Sequence, residues 1–424
     1  MDKIVINGGN RLIGSLPISG SKNAVLPLMI LGLLTDETLK LLGTPRLADT
    51  TTLGHVLEEL GARVELFGQG KGEGLTVHAA YIAQTMASYE LVSKMRASFW
   101  VIGPLLARCG RARVSLPGGC AIGTRPVNLY LQGLKEMGAD IDVVDGYVNA
   151  KAISPSNRLT GAQINFPFIS VGATNVMMMA ASLADGQTII NNAASEPEVM
   201  DVGRCLQAMG ARIEGLGTRT LIIDGVEKLN GTTHTVIRDR IEAGAYACAA
   251  VASNGEVTLT GADEGLLGAL APVLQQAGAT VETKADGLLV KGTSVIRPVN
   301  VVTEPYPGFA TDLQAPFMGL MCVADGVSHI RETIFENRFM HVQELARLGA
   351  DIQLQGDTAR VTGVQALKGA PVMATDLRAS VTLVIAGLIA EGQTTIQRVY
   401  HLDRGYENLE KKLSGCGADI SRIS

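Results

Sequence analysis

The stretch TTLGHVLEELGA, residues 51–62, decides how the rest of the chain is read. Its apolar residues recur at helical spacing with polar residues between them, and it stops at a Gly-Ala pair, as a helix ended by a left-handed glycine should. The same ending follows an amphipathic segment five more times, at Gly138-Ala139, Gly210-Ala211, Gly278-Ala279, Gly349-Ala350 and Gly417-Ala418. The interval is about 70 residues, and self-similarity at a fixed period marks a repeated supersecondary unit. A second marker keeps step with the first, roughly 25 residues earlier in each copy. It is a small or acidic turn followed by a β-type run: DETLKL from Asp36, GRARVSL from Gly110, DGQTII from Asp185, NGEVTL from Asn254, DGVSHI from Asp325 and EGQTTI from Glu391.

Working outward, each copy opens with a segment that is apolar nearly all round: AVLPLMILGLL (24–34), SFWVIGPLLARC (98–109), GATNVMMMAASLA (172–184), EAGAYACAAVAS (242–253), LQAPFMGLMCVA (313–324) and RASVTLVIAGLIA (378–390). A helix without a polar face is buried on every side. The fold class is therefore α/β, as two bundles of three repeats each, with apolar helices inside and strands and amphipathic helices around them. The chain begins out of phase: its opening INGGNRLIGSLPISGSKNA parallels residues 223–243 and 361–379. This places residues 1–21 and 236–424 in a discontinuous first domain and 22–235 in the second, with the first copy complete from residue 1.

Bulk properties narrow the function. A 424-residue chain with net charge −5 disfavours wholesale binding to nucleic acid or an anionic membrane. Its apolar runs are too short or too polar-flanked to span a bilayer. The opening MDKIVINGG lacks the apolar core of a signal peptide, and the six cysteines show no framework spacing, which together read as reduced thiols in a cytoplasmic protein. Neither the cysteines nor the six histidines have zinc-ligand spacing.

Chemistry concentrates where the copies differ, at the loops entering the buried helices. There stand Lys22, Asn23, Arg96, Ser170, Asp312, Asp376 and Arg378. Helix N-termini carry free N–H groups and a positive dipole end, which suit phosphates and carboxylates. For any one of these residues an ordinary cap or surface charge is the plainer account, and their recurrence at one phase argues for more. The second copy carries SLPGGCAIGTRPVNLYL (115–131), where Cys120 lies on a Gly/Pro-rich loop with Arg125 five residues on. A thiol beside a cation has a depressed pKa and can serve as acid, base or nucleophile. An incidental loop cysteine is the competing account.

LPGGCAIGTRPV, with SGSKNA at 19–24, MRASFW at 95–100, SVGAT at 170–174, ATDLQA at 310–315, FENRFMH at 335–341, ATDLRAS at 374–380 and HLDRGYE at 401–407, closely resembles the enolpyruvyl transferase family, in its UDP-N-acetylglucosamine branch. The resemblance runs from end to end. It implies two inside-out α/β barrel domains of three repeats each. It implies phosphoenolpyruvate and UDP-N-acetylglucosamine as ligands, with no metal or organic cofactor, because the enol substrate is already activated; it implies nothing about protein partners. By the same resemblance Cys120 is the proton donor and Asp312 the base, with Lys22 and Arg404 also catalytic. Lys22, Asn23, Cys120, Arg125, Arg338, Arg378 and Arg404 would hold phosphoenolpyruvate, with Lys22 acting through charge rather than packing. Asn23, Arg96, Arg125, Pro126, Val127, Asn128, Leu129, Phe168, Ile169, Ser170, Val171, Gly172, Asp312 and Ile334 would line the nucleotide-sugar site. The chain departs from the family pattern at Asn128 and Tyr130, where Asp and His are common, and at Phe168, where Lys is. Two alternatives stand beside this reading. One is the sister transferase acting on shikimate 3-phosphate, which lacks the cysteine loop. The other is a non-catalytic repeat ring, against which the net charge and the unequal loops argue.

Overall fold

The computed structural model describes residues 2–423, apart from 69–72, 119–126 and 264. One copy shows the plan. A lead strand, Gln163–Asn165, runs into the buried helix Val171–Ala181, and the chain returns as Gln187–Asn191, parallel to the lead strand. A parallel pair needs such a crossover, and the helix supplies it. The amphipathic helix Pro197–Ala208 follows, then an outer strand, Arg212–Glu214, and a hairpin back to Thr220–Asp224, which slots antiparallel between the outer and second strands. All six four-stranded sheets repeat this order and these directions.

The Gly-Ala marker has a direct cause. Gly61, Gly138, Gly210, Gly278, Gly349 and Gly417 have φ of 102°, 81°, 106°, 105°, 88° and 93°. Each sits just past an outer helix in the left-handed region, where a side chain is strained. Two expectations about the helices need correction. The apolar segments at 98–109 and 313–324 each start as a 3₁₀ turn, Arg96–Val101 and Thr311–Leu313, before the α-helices Ile102–Cys109 and Gln314–Met321. The last outer helix is in two pieces, Tyr400–Asp403 and Leu409–Ser414, parted by Asn408 at φ 49°.

The first copy is not complete from residue 1. Ile13–Pro17 pairs in parallel with Glu256–Thr260 and so leads the fourth copy. Lys3–Asn7 lies between Gln393–Gln397 and Asp419–Ile423 and so completes the sixth. Without Lys3–Asn7 the outer strand Asp419–Ile423 would lose its strand partner, and Gln393–Gln397 would keep only Pro371–Met373. The first copy takes its lead strand from Thr232–Thr235, beside Thr38–Leu42.

The chain divides into two compact units. One runs to Ser19 and resumes at Arg238; the other covers Gly20 to Ile237. Each has its own hydrophobic core. In the first, the buried helices are Arg240–Ala252, Gln314–Met321 and Ser380–Ile389; in the second, Lys22–Leu31, Ile102–Cys109 and Val171–Ala181. No helix among the described residues is long and apolar enough to cross a membrane.

Candidate active site

In the unit that resumes at Arg238, the starts of the three buried helices meet. Asp239 caps the first, accepting from the N–H groups of Ile241 and Glu242 at 2.8 and 3.0 Å. Asp312 lies in the 3₁₀ turn before the second. Before the third, Asp376 accepts from the N–H groups of Arg378 and Ala379, both at 2.9 Å. Arg378 joins all three. Its Nη2 is 3.4 Å from the Asp239 carboxylate, its Nε is 3.7 Å from that of Asp312, and its Nη1 donates to the Gly405 carbonyl at 3.2 Å. The guanidinium also lies over the Tyr406 ring. Arg338 donates to Asp312 at 2.6 Å and to the Thr311 hydroxyl at 3.3 Å. Both arginine side chains are at most 4% exposed, and charges so buried persist only when paired. Burial by itself would depress Arg378, but Asp239, Tyr406 and Asp312 outweigh it and raise its pKa above the ordinary value.

Glu332, itself buried, organises the loop beside this network. One carboxylate oxygen accepts from the Thr303 hydroxyl at 3.0 Å and from the N–H groups of Ile334 and Phe335 at 2.8 and 3.1 Å. The other accepts from Thr311, next to Asp312, at 2.8 Å. Ile334 is thus set by the same group that steadies the Asp312 turn. It lines a surface depression of about 520 Å³ with Thr333, Phe335, Phe339 and Gly356. Arg404 is half-buried at the end of Tyr400–Asp403, directly before the Gly405 carbonyl that Arg378 holds.

In the other unit the helix starts are built differently. Lys22, the first residue of its helix, pairs with Asp49 at 2.9 Å, the side chains 8% and 4% exposed. Lys22 thus has a structural charge partner that the sequence did not show: its ammonium faces a buried carboxylate. Asn23 follows on the same turn, half-buried. Arg96, also half-buried, opens the 3₁₀ turn. Ser170 caps the third helix, its hydroxyl accepting from the Ala173 N–H at 3.3 Å. Gly172 lies under an aromatic wall. A Cβ there would stand 2.2 Å from the Tyr130 hydroxyl and 3.0 Å from the Trp100 ring nitrogen. Trp100 donates to Tyr130 at 3.3 Å, and Phe99 meets Tyr130 edge to face.

These contacts place the residues that depart from the family pattern. Tyr130 is a packing residue of the wall, Asn128 is exposed at the start of its helix, and Phe168 is 57% exposed in the loop before Ser170. The Leu129 side chain is buried in the core, while Val127, Ile169 and Val171 pack against it partly exposed. Cys120, Arg125 and Pro126 lie outside the described residues.

The structure thus brings Asp312, Arg338 and Arg378 into one network, adjoins Arg404 to it, and packs Gly172, two residues after the Ser170 cap, under Trp100 and Tyr130. Sequence reasoning left out Asp239 as a charge partner and Glu332 and Asp49 altogether, and it quoted Trp100 within MRASFW without giving it a role. Asp239 could have been found, since it stands at the same repeat phase as Asp376. Asp49 carries no signal, being an acidic residue in a helix's first turn, where acids are common. Among the described residues no group of three or more His, Cys, Asp or Glu is placed to hold a metal ion.

Residues 6–413 match the family model described as EPSP synthase (3-phosphoshikimate 1-carboxyvinyltransferase). The chain is 59% identical to a UDP-N-acetylglucosamine 1-carboxyvinyltransferase of Sinorhizobium medicae, and 60% identical to UDP-N-acetylglucosamine 1-carboxyvinyltransferase 1 of Mesorhizobium japonicum, over the full length of both partners in each case. Among solved structures it is similar to the enolpyruvyl transferase NikO from Streptomyces tendae, with a TM-score of 0.88 and 27% identity over 100% of this chain and 99% of that one. EPSP synthase from Acinetobacter baumannii shares the fold, with a TM-score of 0.75 and 18% identity over the whole of both chains. The chain belongs to the EPSP synthase family of enolpyruvyl transferases and, within it, stands with the UDP-N-acetylglucosamine 1-carboxyvinyltransferases.

Proposed function

We propose that this enzyme transfers the enolpyruvyl group of phosphoenolpyruvate to the 3-hydroxyl of UDP-N-acetylglucosamine and releases phosphate. The observation that carries the reading is the full-length identity of 58–60% to relatives bearing that activity in their names. The described arginine–aspartate network supplies matching chemistry. Phosphoenolpyruvate carries about three negative charges near neutral pH, so its site needs several fixed cations. Arg338, Arg378 and Arg404 are assigned to phosphoenolpyruvate, as are Lys22 and Arg125 by the family resemblance, and the guanidinium fork suits both phosphate and carboxylate.

In the first half of the reaction the sugar oxygen bonds to C2 of the enol, losing its proton to Asp312, while C3 takes a proton from Cys120. In the second half C3 gives a proton back to the Cys120 thiolate, the C2–O bond to phosphate breaks, and the departing phosphate takes the proton held by Asp312, leaving the enol ether, phosphate and both residues as they began. Arg338 and Arg378 are also the partners of Asp312. An anion that engages them shares them with that carboxylate and loosens its hold, which frees an oxygen to take the hydroxyl proton. Arg96, Asn23, the helix start at Ser170–Gly172, Asn128 and Ile334 are assigned to the nucleotide sugar. The product is a peptidoglycan precursor, and we place the enzyme in the cytoplasm with its two substrates.

Phosphate release from phosphoenolpyruvate tests this directly. It is expected with UDP-N-acetylglucosamine and not without it. Release that responds to shikimate 3-phosphate instead would transfer the assignment to the sister reaction, and release with neither acceptor would end the transferase reading.

A further inference from the structure

A second buried polar cluster lies in the same unit, and none of its members is among the groups assigned to substrate. Lys412, on the helix Leu409–Ser414, points its ammonium at Glu242 at 2.6 Å and at the Ser19 hydroxyl at 2.7 Å. Ser19 donates its N–H to the other oxygen of Glu242 at 2.6 Å and its hydroxyl to Glu407 at 2.8 Å. The Lys412 and Glu242 side chains are 11% and 2% exposed. A buried ion pair adds little stability over apolar side chains of like volume, so what this one supplies is geometry.

That geometry closes a ring with the arginine network. Glu242 stands in the first turn of the helix that Asp239 caps, and Asp239 pairs with Arg378. Arg378 holds the Gly405 carbonyl, and two residues on, Glu407 is held by Ser19. The segment from Arg404 to Glu407 is thus tied twice, once through Arg378 and once through Ser19. It needs both ties. The helix before it, Tyr400–Asp403, has four residues, too few to fix its own direction, and Asn408 turns the chain immediately after it. Ser19 is also the last residue of its unit before the chain enters the other, three positions ahead of Lys22.

We propose that Lys412, Glu242, Ser19 and Glu407 form a positioning clamp that fixes the Arg404 segment for phosphoenolpyruvate. The clamp touches no substrate and acts through Arg404 and Arg378, so it rests on the assignment of those arginines made above. Lys412→Met keeps length and removes charge; Glu407→Gln keeps shape and removes charge at a half-buried site; Lys412→Arg keeps charge. Kinetic constants for both substrates would be measured by phosphate release, with Tm alongside. In Lys412→Met the KM for phosphoenolpyruvate is expected to rise about tenfold while that for UDP-N-acetylglucosamine moves less than about twofold. Glu407→Gln should shift the same constant in the same direction by less, and Lys412→Arg should recover most of the loss. A folded Lys412→Met with unaltered phosphoenolpyruvate KM overturns the clamp, as does a parallel rise in both KM values with falling Tm, which marks plain structural damage. If Lys412→Met does not fold, Glu407→Gln decides, and an unchanged constant there overturns it. Wild-type enzyme without acceptor-dependent release overturns the reading of function and the clamp with it. An active wild type with unaffected variants overturns the clamp alone.

Discussion

In the unit that resumes at Arg238, three helix starts converge as charge on charge: Asp239, Asp312 and Arg378, with Arg338 closing the set. In the unit from Gly20 to Ile237, the same phase of the same repeat shows, among the described residues, the ion pair of Lys22 with Asp49 and rings against backbone, with Trp100 and Tyr130 over Gly172. Identical topology therefore carries two chemistries. The first end fixes guanidinium groups by pairing each with a carboxylate, which suits a small, multiply charged anion. In the second, the start of Val171–Ala181 is capped by Ser170, and Gly172 packs under Trp100 and Tyr130. The repeat supplies position, and the residues just before each helix supply function.

The largest effect expected lies in the second unit's sequence, at Cys120. The five cysteines in the described part of the chain are held as thiols chiefly by burial, which with Asp201 pushes Cys205 up to about 12, takes Cys322 to about 12 and Cys248 further, and raises Cys416 and, against Arg108 and Arg111, Cys109. Their thiolate fraction at neutral pH is small. An epoxide phosphonate of the fosfomycin type should alkylate Cys120 first, as read by mass spectrometry, and stop turnover. Cys120→Ala should lower phosphate release by about 10²–10⁴-fold, the usual range for a lost general acid, and Cys120→Asp should retain more. Modification of Cys109 or Cys416 first, with activity intact, would remove the chemistry from this unit.

Lys22 sharpens the contrast next. Losing its charge-assisted contact to phosphoenolpyruvate should cost about 1.5–3 kcal/mol of binding. Because its partner Asp49 is buried, Lys22→Ala should also destabilise the fold by roughly 3–5 kcal/mol, the range for an orphaned buried charge. The pair Lys22→Ala with Asp49→Asn separates the two. Thermal unfolding should recover much of the Tm, while phosphoenolpyruvate affinity stays low. Recovery of both would make Lys22 a structural residue, and the second unit would then contribute no cation from this position.

The architecture was open to sequence reading because each copy repeats the same backbone demand. Six Gly-Ala pairs mark six left-handed helix ends, and Gly110, Gly186, Asn254, Gly326 and Gly392 take positive φ at five of the six turn markers. The turn from Asp36 has no such residue, and there the β-type run alone was the signal. What stayed hidden were pairings between distant copies. Nothing in KIVIN announces that Lys3–Asn7 fills the gap beside Asp419–Ile423, since any alternating strand would serve. The candidate site divided in the same way. Asp312 and Arg378 stood out as charged residues at the starts of buried helices, and Arg338 came from the family resemblance alone. Glu332 reads as surface in RETIFENR, and only the fold shows its carboxylate accepting from the backbone of Ile334 and Phe335. Tyr130 was read as a departure from the family pattern, and its hydroxyl accepts from Trp100.

The smallest effect expected concerns pH and belongs to the charged unit. His341 lies in the segment that carries Arg338, fully buried, with neither ring nitrogen hydrogen-bonded among the described residues. Burial pushes its pKa down from 6.5 to about 4; Arg338 adds to the fall and Asp376 opposes it. Between those values the unfolded chain binds more protons than the folded one, so His341 makes stability rise with pH through the window and fall as pH drops toward 4. Glu242 acts in the other direction. Burial raises its pKa above 4.5, with Lys412 opposing, so the folded state holds the extra proton and stability falls as pH rises past 4.5. Urea midpoints at pH 5 and pH 7.5 separate the two. His341→Gln should lose the gain on going to pH 7.5 and expose the opposite slope from Glu242. Hydrogen exchange in the wild type at pH 5 should show the unit from Arg238 onward opening before the other. A His341→Gln profile parallel to wild type, or earlier opening between Gly20 and Ile237, would mean that the acid-sensitive charge does not lie at this end of the molecule.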